Sequence, residues 1–296
     1  MRQTVLLAFS LLLACPAFPR DAAEFAAWVR SEYGVRANIT YKTASNVEQK
    51  LDVYTHRDKS TPRPTVIYIH GGGWVGGSKE GTILSLMPYL EMGFNAVNVA
   101  YRLGRVARAP AAVEDCRCAL RWVVRNAEQY GFDTDRIVVT GRSAGGHLSL
   151  TTGMLSESAG FDAECISRVQ PKVAAIINHY GITDVADLMA GKPNEKGYAV
   201  SWLGSQRNKE EIADSVSPIH HVRKGLPPIL TIHGDSDNAV PYSHAVELHK
   251  RLDAAGVPNQ LLTIPGGGHG GFSSDEVSMI DKTMRGFLKS NGFLPD

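Results

Sequence analysis

An excess of charge of either sign is missing from these 296 residues: 31 Lys and Arg stand against 30 Asp and Glu. The basic stretches are interrupted by acids or apolar side chains. Binding a nucleic acid or another polyanion needs a basic face, so that class of partner is set aside. Cysteine is scarce as well, with four residues at positions 15, 116, 118 and 165. Neither a second cysteine pair nor a suitably spaced histidine pair accompanies Cys116 and Cys118, which removes a structural zinc site. No metal or organic cofactor is implied. Internal repeats and low-complexity tracts are absent, so a solenoid is not expected. The apolar run at residues 5–14 is too short to span a bilayer.

What is present suits one large domain. An apolar share of 43% is enough to bury a sizeable core at this length. Arg2 followed by the run at 5–14 reads as a signal peptide over residues 1–20, so the protein is expected to leave the cytoplasm as a secreted or periplasmic species. Cleavage after Ala17 or Ala23 is one expectation. A lipobox-like Leu12-Leu13-Ala14-Cys15 offers the other, with a lipid anchor on Cys15 as the sole membrane contact. Cys116 and Cys118 lie two apart on an expected helix, where side chains diverge, so they cannot pair with each other. They read as small buried apolar residues, with a bridge from one of them to Cys165 as the alternative.

From residue 64 onward, strand and helix patterns alternate. Strands are expected at 64–69, 94–100, 136–140, 172–178, 229–233 and 260–264, preceded by two more at 38–43 and 48–55. Helices are expected at 22–33, 79–92, 110–130, 144–156, 242–255 and 275–289. Such alternation means an α/β fold with a mostly parallel central sheet and right-handed crossovers, flanked by helices. Residues 181–226 break the pattern with Gly, Pro and charge, and read as a lid-like insertion within a single domain at 21–296.

Gly141-Arg142-Ser143-Ala144-Gly145 is the one G-x-S-x-G match in the chain. It follows an apolar strand and opens a helix, the setting in which a sharp turn lifts a serine hydroxyl above the sheet edge. The flanking glycines are needed because a Cβ there would meet the neighbouring strand or helix. His70-Gly71-Gly72-Gly73-Trp74 follows the 64–69 strand. Its main-chain amides at Gly72 and Gly73, with that of Ala144, would form an oxyanion hole. His70 itself is read as structural. A phosphate-cradling loop would want G-x-G-x-x-G or a terminal Gly-Lys-Ser/Thr, and neither is present.

In this arrangement the acid and base follow the nucleophile in the order Ser, Asp, His. The 229–233 strand ends in Gly234-Asp235-Ser236-Asp237. Asp237 is preferred as the acid, since Asp235 is better placed to cap its own turn. His269, inside Gly266-Gly267-Gly268-His269-Gly270-Gly271 after the last strand, is the expected base. His147, His179, His244 and His249 read as packing or surface residues, whereas His220 and His221 in the insertion carry the alternative of touching substrate. Ser143 would attack a carbonyl with His269 taking its proton and Asp237 orienting the imidazole.

Taken together, HGGGWVGGSK at 70–79, YRL at 101–103, EDCRCALRW at 114–122, GRSAGGH at 141–147, HGDSDNAVP at 233–241 and GGGHGGF at 266–272 resemble the α/β-hydrolase esterases with an HGGGW loop. The nearest group looks like the bacterial feruloyl and acetyl-xylan esterase-like carbohydrate esterases, related to the hormone-sensitive-lipase group. That latter group usually has an acid where this chain has Arg142, and a D-P-L-type loop where it has Asp237-Asn238-Ala239. The resemblance implies an α/β-hydrolase fold and a serine esterase acting on short-chain or aromatic acyl esters, such as acetyl or feruloyl groups linked to plant polysaccharide. An arylformamidase or peptidase-like hydrolase is the alternative. A binding module that has lost catalysis would lack one of Ser143, Asp237 and His269, and all three are present. Trp74, Tyr101, Trp202 and Phe272 are candidates to line the substrate pocket; the competing expectation is that they fill the core or the lid.

Overall fold

A computed structural model describes residues 22–165 and 171–295. Eight strands form one sheet: β1 (Tyr33–Ala44), β2 (Val47–His56), β3 (Arg63–Ile69), β4 (Asn95–Val99), β5 (Phe132–Arg142), β6 (Ala175–His179), β7 (Ile229–Gly234) and β8 (Asn259–Ile264). Their spatial order is β1-β2-β4-β3-β5-β6-β7-β8. β1 and β2 join antiparallel, and every pairing from β4 to β8 is parallel. The helices among the described residues are α1 (Ala22–Glu32), α2 (Met87–Glu91), α3 (Ala111–Arg125), α4 (Ala127–Tyr130), α5 (Ala144–Met154), α6 (Gly197–Leu203), α7 (Lys209–Ser215), α8 (Ser243–Ala254) and α9 (Ser274–Ser290).

Side-chain alternation along the strands builds two cores, one on each face. In β3, Ile67 and Ile69 pack with Val113, Cys116, Leu120 and Val123 of α3, Leu148 of α5 and Leu248 of α8. Val66 and Tyr68 point the other way, into a core with Leu90 of α2 and Ile280, Met284 and Phe287 of α9. The α3 residues recur at helical spacing, so one stripe faces the sheet.

Two expected helices are divided. Residues 79–92 become a 3-10 turn, Glu80–Leu86, and then α2, with Pro88 in the first turn of α2. Proline has no N–H for the preceding turn, so the helix restarts there. Residues 110–130 break at Asn126, whose side-chain amide donates to the Trp122 carbonyl; Gly131 then closes α4 in the left-handed region.

The cysteine expectation is half corrected. Cys116 is free and buried in the core, whereas Cys118, about 200° further round the helix, forms a disulfide with Cys165. The leader at 1–20, the Cys15 anchor and cleavage after Ala17 lie outside the described residues; Ala23 lies within α1. No helix among the described residues is long and apolar enough to cross a membrane. The 181–226 insertion folds into α6, α7 and short 3-10 turns. Its Leu188, Trp202, Leu203 and Val216 belong to the same core as the α3 face of the sheet, so it is packed onto the domain.

Candidate active site

The strand-to-helix turn between β5 and α5 holds Ser143 at φ 57°, ψ −123°. A non-glycine residue adopts this conformation only when its surroundings impose it. They do so here through close backbone packing. A Cβ on Gly141 or Gly145 would lie 2.3 Å or 2.1 Å from the Ile69 carbonyl oxygen. The two glycines thus let the turn seat against the end of β3. The Ser143 N–H donates to the His179 carbonyl at 2.9 Å, which ties the turn to β6.

His269 reaches this serine from the loop after β8. Its Nε2 lies 2.8 Å from Ser143 Oγ, and its Nδ1 lies 2.7 Å from Asp237 Oδ2. A carboxylate only accepts, so Nδ1 carries the proton and Nε2 is left to accept from the hydroxyl. The imidazole is held by a tight turn in which Gly270 N–H donates to the Gly268 carbonyl. Tyr180 packs edge-on against it, with ring centroids 4.7 Å apart. Downstream, Ser273 and Glu276 form a reciprocal cap on α9 that fixes the exit of the loop.

The Asp237 side chain is fully buried. Oδ1 accepts from the amides of Ala239 at 2.7 Å and Val240 at 2.9 Å. Oδ2 is shared between His269 and His233, whose Nε2 lies 3.2 Å away. Burial by itself would raise this carboxyl. The hydrogen bonds from His233, His269 and the Val240 amide outweigh it and hold the group well below the usual carboxylate range. Asp235 behaves differently from expectation. It is Asp237 that caps the turn, whereas the Asp235 carboxylate reaches across to accept from Gly266 N–H at 2.7 Å and so pins the start of the histidine loop.

The His70–Trp74 loop lies against the nucleophile: a Cβ on Gly71 would be 2.7 Å from the Arg142 carbonyl oxygen and 3.4 Å from Ser143 Cβ. Gly73 sits at φ +58°, and a Cβ there would be 2.7 Å from Tyr198 Cβ. Both features demand glycine. The Val75 and Gly76 amides both turn back onto the Gly72 carbonyl. The Gly72 and Gly73 amides have no acceptor among the described residues. The Ala144 amide opens α5, where first-turn N–H groups lack intrahelical partners. Two buried contacts brace the loop. Lys79 pairs with Asp52 of β2 at 2.8 Å, and Trp74 Nε1 donates to His147 Nδ1 at 3.1 Å. His147 in turn donates from Nε2 to the Val216 carbonyl of the insertion at 2.7 Å. Burial pushes the His147 imidazole down to about 3, so it is neutral at ordinary pH.

Around Ser143 and His269 the structure opens a cavity of 380 Å³, walled by Gly71–Gly73, Arg142, Tyr180, Tyr198 and Ala239. Most of the aromatic candidates are elsewhere. Trp74 and Trp202 are fully buried and stacked with centroids 4.1 Å apart. Tyr101 is buried, stacks on His70 and donates from its hydroxyl to the His70 carbonyl. These three are core residues beneath the site, and their assignment to the pocket is corrected. Phe272 is half-buried beside Tyr180 and borders an adjoining cavity. His220 faces Asp214, and His221 donates to the Ser215 carbonyl, so neither reaches the site. Sequence reasoning does not single out Tyr180, Tyr198 or His233. Position alone signals Tyr180 and His233, which lie at the C-terminal ends of β6 and β7, the edge where parallel sheets bind ligands. Tyr198 carries no such signal.

Similarity to known proteins extends over most of the chain. The BD-FAE family model matches residues 51–252. The chain is 30% identical to esterase LipC of Mycobacterium tuberculosis over 88% of its own length and 66% of that protein. It is 31% identical to the probable carboxylic ester hydrolase LipM of the same organism, over 72% of this chain and 51% of LipM. It therefore spans about half to two thirds of these relatives. Among solved structures, the thermophilic esterase Est2 of Thermogutta terrifontis with propionate bound superposes with a TM-score of 0.75 at 28% identity, covering 89% of this chain and 96% of that one.

Proposed function

The chain belongs to the BD-FAE family of α/β-hydrolase esterases, and from that premise we propose that it hydrolyses carboxylic esters through an acyl-enzyme on Ser143. One observation carries the mechanism: an unbroken chain of hydrogen bonds runs from Ser143 Oγ through His269 to Asp237, at 2.8 Å and 2.7 Å, beside the Gly72 and Gly73 amides, which have no acceptor among the described residues. His269 Nε2 takes the hydroxyl proton as Oγ attacks the ester carbonyl. The developing oxyanion is received by the amides of Gly72, Gly73 and Ala144, each such donor being worth about 3–4 kcal/mol of barrier. Asp237, kept ionised by its own hydrogen bonds, stabilises the imidazolium that forms. His269 then returns the proton to the leaving alcohol, and water cleaves the acyl-enzyme by the same steps in reverse order.

The substrate class we favour is short-chain or aromatic acyl esters, such as acetyl or feruloyl groups on plant polysaccharide, met outside the cytoplasm after loss of the leader at 1–20. The modest cavity supports a small acyl group. So do the propionate and butyrate bound in structures of the Thermogutta esterase. A panel of p-nitrophenyl esters of rising acyl length, with methyl ferulate and acetylated xylan, tests this. Activity is expected on acetate to butyrate and is expected to vanish in Ser143→Ala without loss of fold. Inactivity on every ester combined with hydrolysis of N-formylkynurenine would replace the ester reading by an arylformamidase one.

A further inference from the structure

A second cavity, of 350 Å³, adjoins the nucleophile pocket, and Arg142 and Tyr180 line both. It opens beside Gly270, Gly271 and Phe272, the residues immediately after His269. In ester cleavage the imidazole must hand its proton to the departing alcohol, so the alcohol leaves on the imidazole side. The cavity is therefore on the leaving-group side of the site.

Its two charged side chains, Arg142 and Asp281, make no close ion pair or hydrogen bond among the described residues. The Arg142 guanidinium is exposed and makes no ion pair or hydrogen bond among the described residues. The Tyr68 hydroxyl is buried in the wall beside Ser85. Asp281, half-buried, faces the same space without an ion pair. His179 also borders it, but burial and then Arg142 push that imidazole down to about 3, leaving it neutral. Arg142 is thus the one cation in the cavity wall. A single cation suits a monoanion; Asp281 opposes any anion there, and a phosphate dianion about twice as strongly while leaving it under-neutralised.

We propose that this cavity is the subsite for the alcohol portion of the ester and that it selects an alcohol bearing a carboxylate, paired with Arg142, packed against Phe272 and Tyr180, with its hydroxyl groups facing Asp281. The proposal rests on the ester-hydrolase reading and narrows its substrate. Arginine suits the task because its planar fork binds a carboxylate through two parallel hydrogen bonds.

The test compares 4-acetoxybenzoate with 4-acetoxybenzamide, each rate being divided by its spontaneous hydrolysis. The two share the acetyl-enzyme, so kcat/KM reports leaving-group recognition alone. The wild-type protein is expected to prefer the benzoate by about tenfold, the scale of one charge-assisted bidentate contact. Arg142→Gln is expected to erase that ratio and Arg142→Lys to retain part of it. Asp281→Asn is expected to raise it, an opposite direction that misfolding cannot produce. A wild-type ratio of one or below, or a ratio unchanged in Arg142→Gln, overturns the proposal and leaves Arg142 a solvated side chain. Arg142-dependent preference for mono-p-nitrophenyl succinate over p-nitrophenyl butyrate, without any for the benzoate, overturns the assignment to the alcohol side. Failure of the wild-type protein on p-nitrophenyl acetate itself would instead refute the ester-hydrolase reading.

Discussion

Replacing Asp237 by asparagine swaps one acceptor oxygen for a donor amide in a pocket where four donors converge. Two are main-chain amides, those of Ala239 and Val240, both on Oδ1. Two are imidazoles, those of His269 and His233, both on Oδ2. The new NH2 must face one pair. Main-chain amides cannot change their protonation, whereas an imidazole can shift its proton to the other nitrogen, so the NH2 is expected at the Oδ2 position. His269 would then carry its proton on Nε2, facing Ser143, and could no longer act as a base. That tautomer change is worth about 10⁴ in kcat. His233 would have to move its proton to Nδ1, which is buried and has no acceptor, lowering stability by about 1–3 kcal/mol. Steady-state kinetics on p-nitrophenyl acetate and a urea titration measure the two effects separately. Asp235→Asn keeps a carbonyl oxygen able to accept from the Gly266 amide and the Ser236 hydroxyl and is expected to keep most of its activity. An Asp237→Asn variant within tenfold of wild-type kcat, or an Asp235→Asn variant more impaired than it, would refute this assignment of roles.

Three further outcomes follow from the same coordinates. Gly73→Ala puts a Cβ 2.7 Å from Tyr198 Cβ at a positive φ; displacement of the donor amide should lower kcat/KM by about 10²–10³, and an unchanged value would remove Gly73 from the oxyanion hole. The Cys118–Cys165 bridge joins residues 47 apart, so the double Cys→Ala variant should lose about 4 kcal/mol of stability by loop-entropy arithmetic. Its activity at 25 °C should persist, and an equal loss of both would tie the bridge to the site. Because the folded state depresses the Asp237 carboxyl, its stabilisation is complete above the unfolded value of about 3.9 and is lost as pH falls through the lower folded value. The urea-stability gap between wild type and Asp237→Asn should stay constant from pH 8 to 5 and shrink only below about pH 4; a gap that shrinks between pH 7 and 5 would contradict the depressed carboxyl.

The parts of the site readable along the chain are those that rest on local backbone demands. Gly141 and Gly145 announce the turn because only glycine fits against Ile69, and the run of glycines at 71–73 marks a loop that approaches the nucleophile closely. The alternation in β3 likewise divides its residues between two faces, and the structure puts α3 on one and α9 on the other. Aromatic identity carries no such signal. Trp74 and Trp202 are expected in the pocket, yet Tyr180 and Tyr198 line it, because the direction a ring faces depends on the packing of the insertion over the loop. The second donor on Asp237, His233, lay unnoticed four residues before it, since only the folded turn brings Nε2 within 3.2 Å of Oδ2.

The strands of the sheet, the strained turn at Ser143 and the choice of a mostly parallel sheet were settled by the order of residues alone, because periodicity and steric need act over a few positions. Whether a hydroxyl and an imidazole 126 residues apart would meet at 2.8 Å, which aromatic rings would face the cavity and where Arg142 would stand free were decided by the order of strands in the sheet and the seating of the insertion. Those depend on contacts between distant segments, which no local pattern encodes.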